Sequence, residues 1–152
     1  MMRRKEKQLT AEKSFEIVEK AEWGVLSLVC DGSSPYSIPM SFALDGMKLY
    51  LHGAKEGMKI DLIGSNNAAA FTCVGSTEVI PQKFTTKYES AVICGTIRIV
   101  EDENERYEGL MALVRKYSPG FMEEGKAYIE RAFGKTAVLA IDIGEITGKA
   151  QY

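Results

Sequence analysis

The sequence has few of the residues on which most catalytic and metal sites depend. It holds one histidine and three cysteines. Serine-hydrolase chemistry would therefore depend on His52 alone, and no GxSxG motif accompanies that histidine. The cysteines form no CxxC pair, which disfavours both a zinc site completed by His52 and a disulfide framework. An odd number of scattered thiols is typical of a reducing cytoplasm.

The chain also lacks a strong net charge and a long apolar run. The formal net charge is −2, so the overall electrostatic field favours neither nucleic acid nor an acidic membrane. No apolar run approaches the roughly 20 residues that a membrane-spanning helix needs. The basic start, Arg3-Arg4-Lys5, continues with Glu6 and Lys7, which is not the pattern of a secretory signal. We therefore expect a cytoplasmic protein with no nucleic-acid or membrane partner.

What remains is an ordinary globular composition. With 152 residues, 45% hydrophobic and 26% charged, the chain is expected to form a single domain over residues 1–152 with a sizeable core. Predicted strands follow one another in hairpin order, with a turn at residues 31–35, and helices do not alternate with them. Among these strands are residues 68–74, 79–84 and 136–143, and Thr10 and Asp102 are expected to cap helices. This order predicts a closed or nearly closed antiparallel barrel and disfavours a parallel α/β sheet.

The only histidine lies where a predicted strand turns into a predicted helix. Residues 47–52 alternate between apolar and polar side chains, which predicts a half-buried strand with His52 pointing away from the apolar face. Gly53 and Gly57 bracket a turn, and a helix follows until Asn66.

The start of this helix has two alternative interpretations. Lys55 and Lys59 lie beside the free N–H groups of its first turn, where a cation opposes the helix dipole unless an anion is bound. That combination is suited to a phosphate group. Alternatively, Lys59 is a surface lysine partly balanced by Glu56. The spacing alone favours the surface lysine, because the glycines match neither GxxxxGK[ST] nor GxGxxG.

A strand predicted from Tyr36 to Leu44 has only small residues on one face. They are Ser37, Pro39, Ser41 and Ala43. Because proline cannot donate a ladder hydrogen bond, Pro39 indicates an edge, a bulge or the approach of something other than a strand. Two interpretations explain the small face and Pro39 equally well. Either a flat ligand lies over the small face, or the strand is an edge strand that faces solvent. An Asp45-Gly46 hairpin then places the small face beside His52, if both strands share one sheet.

In their order and spacing, these features resemble the pyridoxamine 5'-phosphate oxidase-like flavoproteins, and among them the branch related to nitroimidazole-resistance (Nim-type) proteins. The matching pieces are SIPMSF, the Asp-Gly hairpin, LYLHGAKEGMKIDLI, a long strand preceded by Tyr88-Glu89-Ser90, and the terminal EITGK. Each piece is weak alone, and their succession makes the resemblance specific. It covers the chain from about Arg3 to Lys149.

The resemblance implies a fold, a cofactor and an assembly. The implied fold is mainly β (α+β), a six-stranded antiparallel split β-barrel with Greek-key connections and flanking helices. The implied cofactor is FMN, with two molecules bound at the subunit interface of a homodimer. The resemblance thus predicts a single FMN-binding domain that is complete only as a dimer.

The resemblance also assigns residues to the flavin site. They are Ile38, Pro39, Met40 and Ser41 at the isoalloxazine ring, His52, Gly53 and Ala54 along the site, Lys59 at the phosphate, and Ser90 in the site of the other subunit. In Nim-type relatives, the histidine that matches His52 lies beside the flavin, where a small substrate or acid binds. His52 is accordingly the expected catalytic residue.

The implied function is that of an FMN-dependent oxidoreductase. Hydride would come from a transiently bound NAD(P)H and electrons would pass to a small acceptor such as a nitroaromatic, with His52 as proton donor. The alternatives are a non-catalytic protein that binds flavin, or haem with His52 as axial ligand, and a dimer without cofactor. The arginine and histidine residues that recognise pyridoxal phosphate in true oxidases have no counterpart in the C-terminal strand, which disfavours that reaction.

Overall fold

The computed structural model of the protein describes residues 3–32 and 34–152; the predicted turn at 31–35 includes Ser33, which lies outside the described residues. The helices are α1 (Ala11–Lys20), α2 (Met58–Ser65), α3 (Glu103–Tyr117) and α4 (Met122–Ala132). The strands are β1 (Gly24–Leu28), β2 (Tyr36–Met40), β3 (Ala43–Asp45), β4 (Lys48–Ala54), β5 (Ala68–Ile80), β6 (Thr85–Ile99) and β7 (Thr136–Gln151). Within the described ranges, no helix combines the length and the apolar character needed to cross a membrane.

The strands form one antiparallel sheet in the order β2-β1-β5-β6-β7-β4-β3. Only Ser41 and Phe42 separate β2 from β3 in the chain. Because these two strands lie at opposite edges of the sheet, the sheet curls until its edges approach each other. The result is a half-barrel with helices packed on it, which confirms the predicted mainly β, α+β class. The sheet has seven strands rather than the predicted six.

The strand predicted from Tyr36 to Leu44 is wrong as a single strand. The chain changes edge at Phe42, whose side chain is fully buried and whose backbone N–H donates to Tyr117 Oη at 3.0 Å instead of to a neighbouring strand. The small face is therefore broken. Its β2 part is exposed, whereas Ala43 is buried beneath α3. Pro39 lies opposite Val25 on an edge strand, as one of the interpretations of that proline predicted.

Two other predicted boundaries are corrected. The separate strands predicted for residues 68–74 and 79–84 are one strand, β5, with a register shift between Val74 and Thr77. The intervening Gly75-Ser76 pair is accommodated as a bulge, although in sequence it resembles a turn. The strand predicted to end at Ile143 continues as β7 to Gln151, because β6 supplies a partner along that whole length.

The core has two parts, one on each side of β4. Leu49 and Leu51 point into the curled sheet, where both are fully buried. Tyr50 points to the other side and is buried, at 4% exposure, with the residues of α3 and α4 that pack there. The strand predicted to be half-buried is therefore covered on both faces, and the cover becomes incomplete at His52, which is exposed.

An ion-pair network fixes the start of α3 on the sheet. Arg98 on β6 donates to both carboxylate oxygens of Glu105, at 2.7 and 2.9 Å, and to Asp142 at 2.8 Å. The Tyr50 hydroxyl also donates to Glu105, at 3.0 Å. These bonds to the charged form lower the pKa of Glu105 to about 2. The Asp102 carboxylate caps the helix by accepting from the Glu105 N–H at 2.8 Å, as predicted from the sequence. The network thereby sets the position of α3 relative to β4 and His52.

Candidate functional site

His52 lies near the end of β4, paired with Val138 of β7. Its orientation away from the apolar face of the strand is confirmed, since Leu51 beside it is buried in the core whereas His52 is exposed. Desolvation by the surrounding protein lowers the pKa of His52 below its ordinary value of 6.5. The imidazole is therefore mainly neutral at pH 7, with one nitrogen able to donate and the other able to accept a hydrogen bond.

A cleft of about 340 Å³ opens beside His52, between α3 and α4. Ser41, from the crossing between β2 and β3, lines the same cleft. The place where the two edges of the sheet approach each other is thus also the place where the only histidine faces a cavity. The apolar wall comes from the helices. It includes Leu110, Leu113 and Ile129, which are all buried.

The first turn of α2 carries unpaired backbone donors. Gly57 occupies the N-cap position with φ 125°, a conformation that side chains other than glycine rarely adopt. No described side chain caps this helix. The N–H groups of Met58, Lys59 and Ile60 precede the first intrahelical bond, which Asp61 N–H donates to the Gly57 carbonyl at 3.2 Å. This helix end can therefore accept an anion.

Lys59 brings that helix end to the strand of His52. Its Cε atom lies 3.9 Å from the position that a Cβ atom on Gly53 would occupy, so the lysine side chain extends along the end of β4. Lys59 is half-buried rather than fully solvated. The structure therefore brings Gly53 and Lys59 together, one residue along the chain from His52.

The other residues assigned through the resemblance lie in different environments. Ile38 and Met40, on the edge strand β2, are partly buried against the core. Pro39 is exposed on the edge strand β2. Ala54 is exposed at the end of β4.

Ser90 is far from His52 within one chain. It pairs with Lys149 of β7, whereas His52 pairs with Val138 of the same strand. The two β7 partners are eleven residues apart, which is at most roughly 36 Å along the curled strand. The structure of a single chain does not bring Ser90 to the cleft.

The cysteines lie on different sides of the sheet. Cys73 is fully buried in the core, where desolvation raises the pKa of its thiol to about 12, and Cys94 is exposed on the other face. Within residues 3–32 and 34–152, no group of three His, Cys, Asp or Glu side chains is arranged to hold a metal ion.

The sequence matches a protein family over almost its whole length. The model of the family described as pyridoxamine 5'-phosphate oxidase matches residues 10–150. The chain belongs to the pyridoxamine 5'-phosphate oxidase family. The resemblance stated from SIPMSF, LYLHGAKEGMKIDLI and the terminal EITGK is thereby confirmed. No curated protein matches the chain.

Several solved structures are similar to this member of the family. A candidate 5-nitroimidazole antibiotic resistance protein from Bacteroides thetaiotaomicron is 24% identical, with TM-score 0.80, over 94% of this chain and 86% of that one. The FAD and heme binding protein from Mycobacterium smegmatis is 23% identical, with TM-score 0.82, over 95% and 73%. The flavocytochrome Anf3 from Azotobacter vinelandii is 20% identical, with TM-score 0.83, over 100% and 72%. These similarities establish the fold.

The helical wall of the cleft was not identified from the sequence. Leu110, Val114 and Tyr117 follow the helical spacing of α3, and that spacing predicts only that they pack against something. Tyr128 on α4 is 66% exposed and no motif marks it. The relevant signal is three-dimensional, because it depends on where α4 turns back along α3.

Proposed function

We propose that this protein binds FMN and is an oxidoreductase that passes electrons from a nicotinamide donor to a small acceptor such as a nitroaromatic. The observation that carries the proposal is the convergence at one end of β4. There the uncapped start of α2 and Lys59 lie along Gly53, and His52 faces the cleft that Ser41 also lines. Proteins of the same fold that are named for FAD and heme binding support a flavin in this family.

The residues present fit a flavin mononucleotide. The free N–H groups of α2 and the Lys59 ammonium are suited to a terminal phosphate group. Gly53 has no side chain to obstruct a ligand at the end of β4. The edge strand β2 exposes Pro39, and Ser41 beyond it is also exposed, so a flat ring would meet small side chains beside the outer edge of the sheet there. The place of Ile38, Met40 and Ala54 at this border rests on the resemblance.

When bound, FMN would supply the redox chemistry by accepting a hydride and passing on electrons. The protein would hold the cofactor through Lys59 and the first turn of α2. His52 would donate a proton to the reduced acceptor, and the lowered pKa of His52 means that a minority of molecules carry that proton at pH 7. Because the chain contains no GxGxxG motif, the nicotinamide donor would bind only transiently.

The proposed site requires a second subunit. Ser90 is assigned to the flavin site by resemblance, but its partner on β7, Lys149, lies eleven residues from Val138, the β7 partner of His52. A homodimer in which one chain supplies Ser90 and the other supplies His52 satisfies both assignments. We therefore propose that FMN binds at the interface of a homodimer.

A haem-binding protein without turnover is the second candidate. The exposed, neutral imidazole of His52 beside an apolar cleft favours it, because a neutral imidazole is a common haem ligand. The two candidates differ in their visible spectra. A Soret band in the protein reconstituted with haemin, and no flavin uptake, would favour haem.

Replacement of His52 with alanine is expected to leave FMN bound and to lower kcat for a nitroaromatic acceptor by about 100-fold, which is a typical effect of losing a proton donor. Wild-type kcat should rise as the pH falls towards the lowered pKa of His52, and the variant should lose this dependence. Steady-state oxidation of NADH and NADPH by the FMN-loaded protein measures both kcat and its pH dependence.

The exposed Lys83, in the turn after β5, offers a control, since Lys83→Ala should retain the wild-type pH profile. Unchanged turnover of the His52→Ala protein at every pH would remove the proton-donor role. No oxidation of either nicotinamide by FMN-loaded wild-type protein, with any acceptor, would refute the oxidoreductase assignment.

A further inference from the structure

Lys116 on α3 has a buried amine without a polar partner. Its Nζ atom is shielded from solvent and makes no hydrogen bond to any described residue. The nearest groups are aromatic, since Nζ lies 3.5 Å from the centroid of the Phe42 ring and 5.3 Å from that of Tyr117. The ring faces attract a cation, but they leave the three N–H donors of an ammonium group without strong acceptors. These surroundings favour the uncharged amine, which is the nucleophilic form of lysine.

The charged and titratable groups around this amine do not cancel the effect of burial. Burial lowers the pKa of Lys116 from 10.5 to about 8, while Cys73 on β5 and Glu19 on α1 act in the opposite direction. Asp45 on β3 and Arg115 on α3 line the same cavity as Lys116. At pH 7.5 about a quarter of the Lys116 amine is uncharged, whereas about one in a thousand molecules is uncharged for a lysine with a pKa of 10.5.

A cavity of about 280 Å³ gives small molecules access to Lys116. It opens between α3, β3 and the end of α1, and small or apolar side chains form part of its wall, namely Ala43, Leu44 and Ala112. The Lys116 side chain is only half-buried, so rotation about its terminal bonds brings the amine from the Phe42 ring into the cavity. The cavity shares no lining residue with the cleft beside His52. It is therefore a separate site.

The charges of the cavity select which reactant can enter. When Lys116 is uncharged, the charged side chains that remain in the lining are Glu19, Asp45 and Arg115, an excess of one negative charge. This excess disfavours anionic reactants. A neutral imine formed by Lys116 has no N–H group that needs an acceptor, so it is better suited to the buried position than the ammonium group is.

We propose that Lys116 is a covalent site for small, uncharged aldehydes, which it binds reversibly as an imine in the cavity between α3 and β3. The nitrogen lone pair attacks the carbonyl carbon, and a C=N bond replaces the C=O bond. Both hydrogens of the amine leave with the carbonyl oxygen as water, so the step needs neither an oxidant nor a reductant. The site does not depend on a bound flavin.

The test is reductive labelling of the full chain with propanal and cyanoborohydride, which converts the imine to a stable amine. Peptide mass spectrometry then gives the initial rate at each lysine. At pH 7.5 we expect Lys116 to be labelled about tenfold faster than the exposed Lys83. The advantage is smaller than the ratio of uncharged fractions, because nucleophilicity falls with pKa, as it does for thiols. Unfolding in urea should abolish the advantage.

Two further comparisons examine the cavity and its charges. Glu19→Gln removes a carboxylate that favours the ammonium form of Lys116, so labelling of Lys116 at pH 7.5 should rise by about 1.5- to 2-fold. Glu16→Gln, at another exposed position of α1 outside this cavity, should leave it unchanged. With the anionic aldehyde glyoxylate in place of propanal, the ratio of labelling at Lys116 to labelling at Lys83 should be at least about fivefold lower.

Labelling of Lys116 no faster than that of Lys83 in the folded protein would overturn the proposal. The same conclusion would follow from an equal ratio of the two lysines with propanal and glyoxylate, or from equal effects of the two glutamine substitutions.

Discussion

Replacement of Lys59 with glutamate is expected to weaken FMN binding by about 100-fold. The substitution removes the cation proposed to pair with the phosphate and puts a second negative charge beside it, and losing a charged partner costs about 2 to 5 kcal/mol. The fold should persist, because Lys59 is half-buried at the surface of α2 and has no ion-pair partner among the described residues. Fluorescence titration with FMN measures the change.

A matched control comes from the other end of β5. Lys83 lies in the turn after β5, whereas α2 precedes β5, so the length of that strand separates the two lysines. Lys83→Glu changes the net charge equally and should leave FMN affinity within about twofold of wild type. Equal effects of the two substitutions would show that Lys59 acts only through net charge and would refute a phosphate contact.

Replacement of Lys116 with methionine is expected to stabilise the protein by about 1 to 2 kcal/mol at pH 7, the low part of the range for replacing buried charge by an apolar residue of similar length. The Lys116 Nζ atom is buried and has no hydrogen-bond partner among the described residues. It lies 3.5 Å from the centroid of the Phe42 ring, a cation–π contact. The attraction of that contact, about 2 kcal/mol for a desolvated pair, is smaller than the several kcal/mol of desolvating an ammonium group.

The pH dependence of stability identifies the cause. Burial lowers the pKa of Lys116 from 10.5 to about 8, while Cys73 and Glu19 face it and act in the opposite direction. Below pH 8 the amine is protonated in both states, so the folded protein bears the full cost of the buried charge. As the pH rises from 8 to 10.5 the folded state releases this proton first, and the contribution of Lys116 to stability becomes more favourable.

The difference in stability between wild type and Lys116→Met isolates the contribution of Lys116. The buried Cys73 and Tyr50 have pKa values raised to about 12, so they oppose the rise above pH 9 in wild type and variant alike. The stabilising effect of Lys116→Met in urea unfolding should therefore shrink between pH 7 and pH 10. Arg115→Met, at the exposed neighbouring position, is the control and should show no such trend. A Lys116→Met protein less stable than wild type at pH 7 would contradict this explanation.

Local signals in the sequence predicted the local structure. The Asp45-Gly46 hairpin joins β3 to β4 with Gly46 at φ 58°, and Thr10 caps α1 by accepting from Lys13 N–H. Asp102 caps α3 in the same way. Each of these features depends on residues within four positions of one another, so the sequence pattern contains the information.

Features that depend on distant residues were not predictable in the same way. The strand predicted through Phe42 is broken because that residue enters the core and its N–H meets Tyr117, a contact between positions 75 residues apart. The cover over Tyr50 depends on α3, which the Arg98 network holds in place. The candidate site shows the same difference. His52 and Lys59 lie in one short stretch and were identified from the sequence, whereas the helical wall of the cleft depends on how α3 and α4 pack and was not.

The central claim is that this member of the pyridoxamine 5'-phosphate oxidase family binds FMN between two subunits, with His52 at the site. The most direct test is the visible absorption spectrum of the purified protein before and after addition of FMN, with mass spectrometry of whatever acid releases. The account predicts flavin bands and one FMN released per chain. A protein that stays colourless after incubation with excess FMN, or that releases haem instead, would contradict it.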